Sequence, residues 1–180
     1  MGLDNIPKTL PCKLANTAVV AEEGYVDCVE TRKCGGCIWS KVKDSSPLVK
    51  DIDGALGMFG AGCWYRGKSG NWMLNSFDEF MEGSPSDYEK FPFDFYGDYL
   101  NKFDIDDGEG LEPDDCKRLA KWMSDYTEAF AMFTEIRYRD EEVSSEEKER
   151  MIKEDVDQWI YASWWLKFVA EYADGFIVWY

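Results

Sequence analysis

The chain has 180 residues, carries 20 Lys and Arg against 36 Asp and Glu, and contains no histidine, so its formal charge is −16. Aromatic residues make up 16% of the sequence, which excludes wholesale disorder because disordered chains lack the apolar surface that offsets the entropy of ordering. The absence of histidine excludes Ser-His-Asp and Cys-His catalysis and histidine-based zinc hydrolase sites. The sequence therefore favours a non-enzymatic protein, although an enzyme that uses paired carboxylates would still be compatible with it.

The compartment follows from segments that the sequence lacks. The first residues, MGLDNIPKTLPCK, contain no apolar stretch typical of a secretory signal, and no run of 18 apolar residues occurs. We therefore expect a cytoplasmic protein without a membrane span. In a reducing compartment, the six cysteines are expected to be free thiols or metal ligands rather than disulfides.

Charge and cysteine content divide the chain into two parts. Residues 1–74 have a net charge of +1, whereas residues 75–180 have a net charge of −17. Five of the six cysteines lie in the first part. We place the boundary near Asn75, which predicts a cysteine-rich β module at 1–75 and an acidic, mainly helical part at 76–180 that share one core.

The first part has the pattern of short strands and turns. Two β-branched runs around a turn ending at Gly24 predict a hairpin over residues 17–29. Six glycines between Gly54 and Gly70 indicate turns rather than a helix. This part is predicted to be a small, zinc-ribbon-like β module.

The second part predicts two long amphipathic helices and a terminal strand. The first helix begins at Glu112-Pro113-Asp114-Asp115 and runs to about Arg137. Its apolar face is predicted to contain Leu119, Met123, Tyr126, Phe130 and Phe133.

A capping box at Ser144 and Glu147 predicts the start of the second helix, which Ala173-Asp174-Gly175 ends. Its apolar face is predicted to contain Ile152, Val156, Trp159, Ile160, Trp164, Phe168 and Tyr172. Residues 176–180 predict a strand that pairs with the first part of the chain. The predicted class is α+β.

The Cys34-Gly35-Gly36-Cys37 motif is the most specific chemical signal. Such a turn places two sulfurs close enough to hold one ion, and Cys12, Cys28 and Cys63 are candidates for the other ligands. A structural zinc site is one interpretation; buried, chemically inert cysteines are the other, because free cysteine is among the most buried residue types. A redox dithiol is less favoured, since the βαβ setting of thioredoxin-like proteins is absent.

Aromatic residues, Arg, Lys and glycine are interleaved only between Cys63 and Trp72, where Trp64, Tyr65, Arg66 and Lys68 are the candidate ligand-binding residues. An aromatic ring can stack on a base while basic side chains bind phosphates, so the segment is a candidate nucleotide site. The alternative, which we favour, is a turn between strands with its aromatics in the core.

The acidic part predicts a protein partner. Its carboxylates could imitate the phosphates of a nucleic acid and occupy a basic groove, and Glu141, Glu142, Glu146 and Glu147 are the residues whose charge reversal would test this. Direct binding of DNA or RNA is disfavoured by charge repulsion, unless it is confined to the near-neutral first part. Residues 104–110 do not match an EF-hand loop. With Gly108 at the invariant sixth position, the first and third loop positions would be Phe103 and Ile105, which have no oxygen ligand.

Four segments carry a resemblance to a known group: Met1–Pro7, Pro11-Cys12, Gly36–Trp39 and Gly62–Lys68. In these segments the chain resembles small uncharacterised proteins encoded by bacteriophages, mainly over residues 1–75. The resemblance implies a phage setting, hence a host-cell cytoplasm, and no activity. It also implies that the recurring cysteines, here called the four-cysteine set, are Cys12, Cys28, Cys37 and Cys63, with Cys34 the additional one.

Three functional hypotheses follow from the sequence. The first is a non-enzymatic accessory or binding protein, encoded by a phage, whose fold a cysteine-bound zinc stabilises. The second is an acidic inhibitor of a host protein that handles nucleic acids or provides defence. The third is a nucleotide-binding protein that uses the segment at 64–68.

Overall fold

The computed structural model of the protein describes residues 4–9, 38, 79–80 and 110–179. Within these residues it contains three helices and a two-stranded antiparallel sheet, so the broad α+β class is confirmed. Apart from 4–9 and 38, the zinc-ribbon-like module at 1–75 lies outside the described residues, as do the hairpin at 17–29 and the glycine-rich turns at 54–70. They stay predictions.

The first predicted helix is in fact two helices. Helix α1 spans Pro113–Asp125 and helix α2 spans Thr127–Arg137, with Tyr126 between them at φ −105° and ψ 13°. The hydrogen-bond ladder continues through the junction, because the Tyr126 amide donates to Trp122 O at 3.0 Å and the Phe130 amide donates to Tyr126 O at 2.9 Å. The prediction of one continuous helix is therefore wrong about its continuity but right about its outer limits.

Two hydroxyl groups account for this break. The Ser124 hydroxyl donates to Ala120 O at 2.9 Å, and the Thr127 hydroxyl donates to Met123 O at 3.0 Å. Serine and threonine side chains that bond the carbonyl four residues earlier compete with the helix ladder and bend helices. The apolar periodicity runs through the junction without a change, so it gave no sign of the break.

Helix α3, Ser145–Tyr172, begins and ends as the sequence predicts. The Glu147 amide donates to Ser144 Oγ at 3.1 Å, so the Ser144 cap is confirmed. At the other end, Asp174 (φ 55°) and Gly175 (φ 80°) adopt left-handed backbone conformations. The Gly175 amide donates to Val169 O at 3.1 Å, which satisfies a carbonyl of the last helical turn.

The buried surface of α3 is broader than its apolar periodicity predicts. Trp159 and Phe168 are buried as expected, but Ile160 is 38% exposed. The second half of the helix instead buries residues on most of its circumference, including Tyr161, Ala162, Ser163, Trp165, Leu166, Val169 and Ala170. A helix that is apolar nearly all round belongs in the interior, and α1 and α2 both pack against α3.

The sheet joins residues that lie far apart in the sequence. Strand β1 (Asp4–Pro7) pairs antiparallel with strand β2 (Phe176–Trp179), with Ile6 opposite Ile177. The predicted pairing of the terminal strand with the first part of the chain is thus confirmed. Leu111 extends the ladder on the other side, since it exchanges two backbone hydrogen bonds of 3.0 Å with Phe176.

One ring from outside the three helices lies in the middle of their core. Phe80 is helical and fully buried. Its ring meets those of Trp122, Phe130, Phe133 and Trp159 edge-on, at centroid distances of 5.5 to 6.0 Å. Edge-to-face packing is a favoured geometry for aromatic pairs, so Phe80 links α1, α2 and α3.

Candidate functional site

Most of the sequence-predicted site residues lie outside the described residues. These are the cysteines Cys12, Cys28, Cys34, Cys37 and Cys63 and the candidate nucleotide site Trp64, Tyr65, Arg66 and Lys68. Ile38, which follows Cys37, is described and packs partly buried against the helical core. Within the described residues, no group of three or more His, Cys, Asp or Glu side chains is arranged to hold a metal ion.

Cys116, the cysteine that lies within the described residues, is a free thiol in the buried core. Cys116 is fully buried in α1, with its Sγ 3.6 Å from Leu111 O. Burial, followed by the charge of Asp115, raises the pKa of the Cys116 thiol far above its ordinary range. The thiolate is the nucleophile and the metal ligand, so this cysteine is suited to neither role.

A serine-lysine cluster lies between α1 and α3. Ser163 Oγ lies 2.9 Å from Ser124 Oγ and 2.9 Å from Ala120 O, and Lys167 Nζ donates to Ser124 Oγ at 3.1 Å. Both hydroxyls share the Ala120 carbonyl as a hydrogen-bond acceptor. The cluster links α1 to α3 by hydrogen bonds. It also satisfies the buried Ser163 hydroxyl, which would otherwise lack a hydrogen-bond partner.

Among the described residues, the strongest concentration of exposed charge lies where α2 turns into α3. Residues 140–149, here called the acidic tip, contain six carboxylates and one lysine, for a net charge of −5. Asp140, Glu141, Glu142 and Glu146 are all exposed. Three of the four acids proposed from the sequence for charge reversal are therefore exposed at one place, while Glu147 is half-buried and pairs with Arg150.

Hydrogen bonds on both sides hold the acidic tip in place. Ser144 caps α3, and Lys148 Nζ donates to Arg139 O at 2.6 Å. Next to the tip, the Tyr138 hydroxyl donates to Asp155 Oδ2 at 2.7 Å. Burial and this hydrogen bond raise the pKa of Tyr138. The turn is thus anchored to α3 through both its backbone and its side chains.

Arg137, the last residue of α2, pairs with carboxylates outside the tip. Arg137 lies 2.8 Å from Glu79 Oε2 and 3.8 Å from Asp155 Oδ2. An arginine held by two carboxylates does little to neutralise a third group. Arg137 therefore contributes little to neutralising the acidic tip, whose neighbouring basic residues are Arg139 and Arg150.

Large apolar side chains are exposed in the segment that leads into the acidic tip. Met132 is 64% exposed and Ile136 is 58% exposed, while Val143 within the tip is 42% exposed. Met132 and Ile136 are four residues apart and so share one face of α2. Sequence periodicity missed both residues, because they lie off the predicted apolar face.

Comparison of the chain with protein-family models, with curated proteins and with solved structures gave no match. In the part of the chain that the structure describes, no helix has the length and apolar character needed to cross a bilayer. The function of the candidate site is therefore inferred from its geometry and charge alone.

Proposed function

We propose that this chain is a non-enzymatic binding protein that contacts a basic surface of a protein partner through the acidic tip. The observation that carries the proposal is the net charge of −5 within ten consecutive residues of one anchored turn. Charge complementarity of this kind accelerates association and selects among partners. The phage resemblance of the first 75 residues makes a bacterial host protein the expected partner.

The distribution of charge favours a local contact over imitation of a nucleic-acid duplex. Helix α3 has 28 residues, which corresponds to about 42 Å. It carries seven carboxylates and four basic residues. Its net negative charge is therefore one elementary charge per ~14 Å of helix axis, whereas a nucleic-acid duplex carries one per ~1.7 Å of its axis. Several carboxylates of α1 and α3 are also paired within their own helix, including Asp114 with Lys117 and Asp157 with Lys153.

The sign of the charge also limits the ligand class. Phosphate backbones and anionic lipid surfaces would be repelled by the acidic tip at the low salt concentrations where electrostatic binding is strongest. A surface rich in lysine or arginine is the complementary ligand. The acidic tip therefore supports the inhibitor hypothesis only for an inhibitor that contacts a basic patch of its target, and not for one that imitates a nucleic-acid duplex.

The first 75 residues contribute a second, separate element to the proposal. A zinc ion bound by the four-cysteine set would stabilise a small β module that has little core of its own. The Cys-x-x-Cys motif and the phage resemblance support this element. Its test is independent of partner binding and is given in the Discussion.

Paired charge reversals test the binding function. The variant Glu141→Lys/Glu142→Lys changes the charge of the tip by four units. The variant Asp114→Lys/Glu171→Lys makes the same change at the opposite end of the helices, where Glu171 is about 37 Å along α3 from Glu146. Circular dichroism and thermal unfolding first establish that both variants fold.

The two variants and the unaltered chain are then immobilised and exposed to a bacterial lysate at low and at high ionic strength. We expect at least one basic protein to bind the unaltered chain and the Asp114→Lys/Glu171→Lys control, to be released by salt and to be lost with Glu141→Lys/Glu142→Lys. The purified protein must then reproduce this order by calorimetry. Identical captured sets for the two variants would refute the proposal.

A further inference from the structure

The outward side of α2 combines acidic and large apolar residues on one face. Glu128, Met132, Glu135 and Ile136, here called the α2 outer face, are all exposed. Their spacing of four, three and one residues places them within about one third of the helix circumference. The inner side of the same helix buries Phe130 and Thr134, so α2 is apolar on its core side and also carries an apolar pair on its outer side.

Met132 and Ile136 form a strongly exposed apolar pair. Met132 and Ile136 are 64% and 58% exposed, and single exposed apolar residues are ordinary on protein surfaces. Here, however, two lie on adjacent turns of one helix and lead directly into the acidic tip, where Val143 is also exposed. Apolar side chains next to a strongly charged rim are typical of an interface.

The charges around the pair determine what can cover it. Glu128 and Glu135 lie along one side of the two apolar side chains, and the acidic tip follows within four residues of Ile136. A second copy of this chain would bring two acidic tips together, and a nucleic acid or an anionic membrane would be repelled. A cationic protein segment with an apolar side matches both features of the surface.

We infer that the α2 outer face and the acidic tip together form a docking surface for a basic amphipathic helix of a partner protein. Apolar side chains one helical turn apart on the partner pack against Met132 and Ile136, and its lysines or arginines contact Glu128, Glu135 and the carboxylates of the tip. This is the helix-recognition mode in which an apolar face binds an apolar surface while charged rims fix its orientation. The inference rests on the proposed function and adds the surface and the form of the partner.

The probe is a fluorescein-labelled, 18-residue helical peptide with leucines at successive turns on one side and lysines around them. A scrambled peptide of the same composition has the same charge but no apolar face. Fluorescence anisotropy at about 0.1 M salt measures binding to the full chain. We expect the amphipathic peptide to bind at least about tenfold more tightly than the scrambled one.

Neutral substitutions separate the apolar contribution from the electrostatic one. Met132→Gln/Ile136→Gln removes the apolar pair without a change in charge and keeps good helix formers at exposed positions. We expect it to weaken binding of the amphipathic peptide about tenfold or more and to leave thermal unfolding unchanged. The control Ile160→Gln alters an exposed isoleucine on α3 and should leave affinity unchanged.

Each result decides the inference. Loss of affinity with Met132→Gln/Ile136→Gln but not with Ile160→Gln supports it. Equal binding of the amphipathic and scrambled peptides, or full affinity of the Met132→Gln/Ile136→Gln chain, overturns the inference but leaves the proposed function standing if Glu141→Lys/Glu142→Lys still abolishes binding. Full affinity of that charge-reversed chain, or no binding of either peptide by the unaltered chain, refutes both.

Discussion

Truncation of Phe80 is the most direct test of the helical core. The ring is fully buried and has edge-to-face contacts with four aromatic side chains from three helices. Phe80→Ala removes the whole ring and leaves a cavity that the four surrounding aromatic side chains do not close. Substitutions of this type cost about 3–5 kcal/mol, and we expect the upper half of that range because each aromatic pair adds about 0.5–1.5 kcal/mol to simple burial.

That loss is large compared with the stability of a typical domain, about 5–15 kcal/mol. For a chain of this length each kcal/mol corresponds to about 2–4 °C in the unfolding midpoint, so a loss of about 4–5 kcal/mol should lower the midpoint by roughly 8–20 °C. Urea titration followed by tryptophan fluorescence measures the change directly. Trp159 reports on the site, since its ring stacks on Phe130 at a centroid distance of 4.2 Å.

Two further variants calibrate this measurement. Phe80→Leu keeps part of the side-chain volume and should cost less than Phe80→Ala. Met132→Ala removes another large apolar side chain, but from an exposed position, and should change the free energy of unfolding by less than about 0.5 kcal/mol. A cost below about 1 kcal/mol for Phe80→Ala would show that the ring is not part of the core and would refute the reasoning.

Four more predictions concern local features. Ser144→Ala removes the cap that Glu147 N–H donates to and should cost about 1 kcal/mol in urea titration; no loss would count against the cap. Gly175→Ala should cost more than that, because φ is +80° and the new Cβ would lie 2.2 Å from Leu111 O; an unchanged melting temperature would contradict it. Because burial raises the pKa of the Cys116 thiol, the unfolded chain loses this proton first as the pH rises. The stability contribution is therefore complete below pH ~8.5 and is lost above it by up to about 1.4 kcal/mol per pH unit; Cys116→Ala should reduce that slope, and an equal slope would be inconsistent with it. Protein purified without added zinc should contain about one zinc per chain and lose stability with a chelator; metal-free protein that is indifferent to the chelator would exclude the four-cysteine site.

The parts of the fold that the sequence predicted are those with local signals. The Ser144 cap, the end of α3 at Ala173–Gly175 and the strand that follows are each encoded by a few adjacent residues with a known conformational preference. The break at Tyr126 was missed because it depends on hydroxyl-to-carbonyl hydrogen bonds that leave the apolar periodicity unchanged.

Long-range packing was not predictable from the sequence. Phe77, Phe80 and Met81 have helical spacing in the sequence, but that spacing does not indicate which of the three side chains is central to the core. The prediction of a partner for the terminal strand was correct in its general location, but β1 carries no strand pattern of its own. The exposed carboxylates of the acidic tip were proposed from composition, whereas Met132 and Ile136 required the structure, since exposure depends on which face of α2 meets α3.

The order of assembly follows from where the sheet lies in the chain. Met123 and Trp159 are 36 positions apart and already link α1 to α3, whereas β1 and β2 pair residues about five times farther apart. Each doubling of a closed loop costs about 0.6 kcal/mol, so closing the sheet first would be disfavoured by about 1.4 kcal/mol, or tenfold. The helices are therefore expected to collapse first, and the β1–β2 ladder to be the last element acquired during folding and the first released during unfolding.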